Sequence, residues 1–70
     1  MTRKSIKLVR EGSFAAEVSV NLIEEEGDWS PYLSAEDAHK LDAVRRALRD
    51  GDVAAASKIA RVFEMTPVAN

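Results

Sequence analysis

His39 stands three positions after Glu36 and three before Asp42, a spacing that puts an imidazole and two carboxylates on neighbouring parts of one helical face. Such a trio can serve as a general base or as half of a metal site. A base also needs a nucleophile or a polarised substrate within hydrogen-bond reach, and the surrounding sequence supplies neither. The trio therefore reads as a solvated helix face.

A second concentration of chemistry, Glu24-Glu25-Glu26-Gly27-Asp28, gathers carboxylates around a glycine. Oxygen ligands suit hard cations, but calcium loops space theirs in a defined order that ends on a bidentate Glu, and that order is missing here. The run reads as an exposed, solubilising loop. The chain has no cysteine, which removes disulfides and thiolate metal sites, and it carries no phosphate-binding glycine loop, zinc spacing or nucleophile elbow. The expectation is a protein that is not an enzyme, with no cofactor, no metal and no small-molecule substrate.

Cations form two groups: Arg3, Lys4, Lys7 and Arg10 near the start, and Arg45, Arg46, Arg49, Lys58 and Arg61 further on. Either group could meet phosphate, yet no aromatic side chain is interleaved to stack bases, and the net charge of -2 gives no global attraction for a polyanion. The segment from Ala35 to Arg61 invites comparison with a helix-turn-helix, since Ala47 and Gly51 fall where a small residue and a turn glycine are wanted. Against it, Asp50 and Asp52 crowd the end of the second helix that would approach DNA, and Ser57 takes a packing position. A small DNA-binding regulator using the basic helical half is thus the second choice, behind a protein that binds another protein or itself. Trp29 and Tyr32, the sole Trp and Tyr, either cover the core or act as contact points for that partner. The candidate partner-binding residues are Trp29, Tyr32, Arg45, Arg46, Arg49, Lys58 and Arg61.

The elements that must position these residues follow from periodicity. Ser5 to Val9 alternates, with Ile6 and Leu8 on one face, as in a half-buried strand, and Val9 mildly breaks the pattern. Arg10-Glu11-Gly12-Ser13 supplies a hairpin loop. Phe14, Ala16, Val18, Val20 and Leu22 share one parity and Ala15, Glu17, Ser19 and Asn21 the other, so this strand should bury its first face and leave the second to water or a partner. Pro31 delays any helix past Leu33, and Ser34 caps it, with Asp37 as a shortened capping-box acid. Ala38, Leu41, Val44 and Leu48, with Ala47, form the apolar stripe of a first helix. Asp50-Gly51-Asp52 makes a tight corner into a second, whose inward residues are Val53, Ala56, Ile59 and Ala60. Val62 to Thr66 returns to alternation and reads as a short edge strand that Pro67 ends.

The predicted fold class is α+β: an antiparallel hairpin followed by two helices and a short C-terminal third strand, ββααβ, in one domain over residues 1–70. A chain of 70 residues hides only about 60% of its unfolded surface, so its stability should be marginal and a partner would raise it. No segment approaches the ~20 apolar residues of a membrane span, and the expected location is the cytoplasm.

Three stretches, Trp29-Ser30-Pro31-Tyr32-Leu33-Ser34, Val44-Arg45-Arg46-Ala47-Leu48 and Ala60-Arg61-Val62-Phe63-Glu64-Met65-Thr66-Pro67-Val68, make most of the chain similar to a group of short, uncharacterised bacterial proteins of antitoxin-like type. The resemblance implies a partner-binding role, as a dimer or with another protein. It brings no catalytic or ligand-binding residue with it.

Overall fold

The computed structural model describes residues 1–27 and 30–68 and has the α+β order expected, with one strand more. The hairpin joins β1 (Thr2–Glu11) to β2 (Phe14–Ile23). Gly12 opens its two-residue loop at φ 59, where a side chain would be strained and glycine is not, as in a type II′ turn. The loop sets Glu11 opposite Phe14, and the register then runs without a break to Thr2 opposite Ile23.

That register overturns one expectation. It puts Leu8 beside Glu17 and Ile6 beside Ser19, on the polar parity of β2, while Val9 falls beside Ala16. Ile6 and Leu8 are consequently exposed and Val9, which seemed to interrupt the pattern, is buried. With the loop held at two residues, only turning the whole hairpin over would reverse both, and that would also turn Val18 and Val20 outward, though those two are essentially inaccessible. Burial of the longer β-branched run on β2 decides the matter.

The other edge of β2 is shared by two short strands. β3 (Tyr32–Leu33) pairs antiparallel with Ile23 and Leu22 at one end, and β4 (Arg61–Glu64) pairs antiparallel with Glu17 back to Phe14 at the other. β4 is the C-terminal strand expected, displaced slightly toward the N-terminus; Met65 prolongs the contact by donating its N–H to the Ser13 carbonyl at 2.7 Å. β3 was not foreseen, because two residues are too few for periodicity to register.

Between these strands the β2 edge is met by side chains of α1 (Ala35–Arg49). The Asn21 N–H donates to Asp37 Oδ2 at 2.7 Å, and Lys40 Nζ donates to the Ser19 carbonyl at 2.7 Å. Two helix side chains thus stand where a neighbouring strand would otherwise satisfy the backbone. Ser34 caps α1 as expected, its Oγ accepting from the Asp37 N–H at 3.1 Å, but the Asp37 carboxylate turns to β2 rather than back to the cap. Asp37→Ala should therefore lower stability by about 0.5–1.5 kcal/mol, with faster exchange of the Asn21 amide in NMR; an unchanged Asn21 rate would refute this role.

Facing Asp37 and Lys40 toward that edge rotates Ala38 outward, so Ala38, expected in the stripe, is exposed. Val44 and Leu48 are buried, with Leu41 and Ala47 packed beside them. Gly51 makes the corner at φ 76, and Asp52 caps α2 (Val53–Ser57) by accepting from the Ala55 N–H at 3.0 Å. Because α2 stops at Ser57, Ile59 leaves the helical face assigned to it and is 40% exposed, whereas Ala56 is buried and Ala60 packs against the core.

The core lies between α1, α2 and one face of the sheet and consists of small side chains: Val9, Ala16, Val18, Val20, Val44, Leu48 and Ala56. Its chemistry is modest, since burying a Val or Leu side chain stabilises by about 1.5–3 kcal/mol. The shape is elongated as well. The radius of gyration is 14.2 Å against about 11 Å for a compact chain of this length, because ten-residue strands outreach the helix that covers them.

Candidate functional site

Both helices lie on one side of the sheet, so its other side has no second layer among the described residues. The register arranges that side in cross-strand rows: Arg10, Ala15 and Phe63; Leu8, Glu17 and Arg61; Ile6 and Ser19; Lys4 and Asn21. Ile6 is 58% exposed, Leu8 62% and Phe63 39%. Ala15 is the exception; flanked by Phe63 it is buried although it points away from the helices. Arg61 lies over the Phe63 ring, its Cζ 5.0 Å from the centroid, a distance at which a guanidinium is attracted to the ring face.

Beside the Ile6 row, the turn between α2 and β4 forms the wall of an open groove of about 440 Å³, lined by Ile6, Glu17 and Ser19 on one side and by Lys58, Ile59 and Arg61 on the other. Ile59, displaced from the core, thereby joins Ile6, Leu8 and Phe63 around one face. Exposed apolar side chains are common when scattered; several gathered on one uncovered sheet face, here divided by Glu17 and Arg61, make that face a candidate contact surface.

The predicted partner-binding residues are divided by the fold. Lys58 and Arg61 reach the open sheet side. Arg45, Arg46 and Arg49 stay exposed on α1, in the opposite layer. Arg46 Nε lies 3.1 Å from Asp42 Oδ2, one helical turn back, and Arg49 Nε lies 3.7 Å from Glu11 Oε1. The second basic group of the sequence is therefore not one patch. Tyr32 is half exposed and donates its hydroxyl to Glu25 Oε1 at 2.7 Å; Trp29 lies outside the described residues.

The other constellations are engaged locally. Asp42 is paired with Arg46, so the acids around His39 do not act as a set. In the acidic loop Glu24 holds Arg3 at 3.0 Å, and its N–H donates to the Met1 carbonyl, extending the hairpin. Among the described residues no three His, Cys, Asp or Glu side chains converge as metal ligands. The helix-turn-helix comparison also weakens, because α2 has five residues, less than two turns and short for a helix that must lie in a major groove. No described helix is long and apolar enough to cross a membrane.

Sequence reasoning missed Ile6, Leu8, Ile59 and Phe63 as a surface set. The signal for the first two was present: a two-residue loop between Glu11 and Phe14 fixes which residue of β1 faces which residue of β2. Comparison with protein-family models, curated proteins and solved structures finds no match.

Proposed function

We propose that this chain is a non-enzymatic protein-interaction module of antitoxin-like type, which engages a protein partner or a second copy through β1 and the open side of its sheet. The observation that carries the reading is the exposure of Ile6 and Leu8 on an edge strand, with Ile59 across the groove from Ile6 and Phe63 on the same open side of the sheet. A small core of valine and alanine gives such a protein reason to gain stability by association. An edge strand with an apolar outer row offers both backbone pairing and side-chain contact, the two elements of recognition by strand addition.

The experiment is chemical cross-linking, read by mass spectrometry, of the wild type and of the paired variant Ile6→Glu with Leu8→Glu in extract of the source cells. Both positions are exposed, so the variant should keep its circular dichroism and melt within about 1 kcal/mol of wild type. Cross-links from Lys4 and Lys7 to another chain should appear with the wild type and fall away in the variant. Identical cross-links in both, or none in either, would remove the basis of the proposal.

A further inference from the structure

Resting on that reading, we propose that the occupant of the β1 edge is an acidic, extended segment of a partner protein, added antiparallel as a further strand. The hairpin fixes which backbone groups of β1 point outward. Glu11 and Phe14 close a two-residue hairpin and so exchange backbone hydrogen bonds, after which every second residue of β1 bonds to β2. Arg10, Leu8, Ile6, Lys4 and Thr2 therefore turn their N–H and C=O groups away from β2. The bonding seen on the other side of β2 agrees, since the Asn21 N–H and the Ser19 carbonyl, both of the opposite set, are taken by Asp37 and Lys40.

Charge then selects the occupant. β1 carries Arg3, Lys4, Lys7 and Arg10 against Glu11 alone, within a chain whose total is -2. Arg3 already answers Glu24 and Glu11 already answers Arg49, which leaves Lys4, Lys7 and Arg10 exposed along the edge. A second copy fits this stripe poorly. Antiparallel pairing about a two-fold axis normal to the sheet can oppose Ile6 to itself, and Lys7 then lies diagonal to Arg3 and Lys7 of the other chain. A shift of two residues one way opposes Arg3 to Lys7; the other way it opposes Lys4 to Arg10 and Lys7 to itself. Like charges directly opposite destabilise a strand pair and opposite charges stabilise it. Lysines on an edge keep identical edges apart by the same physics that admits a carboxylate-bearing one.

The complement can be written down. An antiparallel strand running from opposite Arg10 to opposite Lys4 should place acids against Arg10, Lys7 and Lys4 and apolar or neutral residues elsewhere, as in the capped peptide Glu-Val-Val-Glu-Ile-Thr-Glu. The test is an amide-exchange and chemical-shift titration of the whole chain with this peptide, up to about 1 mM, a range that reaches weak complexes. The expected result is exchange slowed at least about tenfold at Lys4, Ile6, Leu8 and Arg10 but unchanged at Lys7 and Val9. A peptide with Lys in place of each Glu should bind at least about tenfold more weakly at low salt, with the gap narrowing as salt screens the edge. The variant Lys4→Glu with Arg10→Glu, both exposed, should invert that preference.

Free exchange at those four amides with the acidic peptide would overturn the inference, as would equal binding of the charge-reversed peptide. So would a sedimenting dimer in which the same amides are slow without peptide, since a second copy would then hold the edge. In that last case, or if cross-links still map a partner to β1, the broader reading survives; loss of the cross-links as well removes both.

Discussion

Val18→Asp should leave no cooperative thermal unfolding transition, while Leu8→Asp, on the neighbouring strand, should shift the transition by no more than about 1 kcal/mol. Val18 is fully buried in the cluster with Val9 and Val44. A carboxylate introduced there has no partner, and an unpaired buried charge costs about 3–5 kcal/mol. A domain of 70 residues has in total about 4–10 kcal/mol to lose, and this one, with a small-residue core, belongs toward the lower end. Leu8 is the larger apolar side chain, but it is 62% exposed on the uncovered side. Circular dichroism melts of both variants check the assignment of faces directly. If Leu8→Asp unfolds the protein and Val18→Asp does not, the hairpin packs on the helices with its other face and the assignment of faces is wrong.

Leu48→Ala should lower stability by about 2–5 kcal/mol, which at about 4–8 °C per kcal/mol for a domain of this size amounts to a fall in melting temperature of roughly 8–40 °C. Leu48 is 3% exposed and is the one leucine among the fully buried side chains described, which are otherwise valine and alanine. The small neighbours have little reach with which to close over the space it vacates, so the cavity term should approach its full value. Leu41→Ala, half-buried on the same helix, should cost less than half as much. Equal losses at the two positions in a denaturant titration would show that the helix does not pack as described.

Much of the fold was legible in the sequence because its signals were local. The alternation of β2, the serine and aspartate caps, the glycine corners at Gly12 and Gly51, and the return to strand texture from Val62 each find their counterpart. The orientation of β1 was misjudged for a reason that is not local. Ile6 and Leu8 outrank Val9 in count, and a strand read alone should bury the larger set; the hairpin loop couples it to a partner strand whose preference is stronger. Ile59 was misplaced because the 3.6-residue period was extended past Ser57, where the helix ends. The bonds from Asp37 and Lys40 to β2 could not be read at all, since they depend on where α1 crosses a gap between β3 and β4 that only the assembled sheet defines. Of the candidate site, the cations were named but not their division between two sides, and Ile6, Leu8 and Ile59 were taken for core.

The two margins of the sheet differ in what they permit. β1 presents ten residues in line, whereas the far margin is broken into pieces of two and four residues, bounded by Pro31 and Pro67, neither of which can donate a backbone hydrogen bond. Strand addition of the kind proposed would thus be one-sided: β1 offers a long template, and among the described residues the opposite flank offers no comparable one. A molecule so built would end a chain of strand-to-strand contacts and not propagate it, and any complex formed through β1 should have a closed, small stoichiometry in place of a filament.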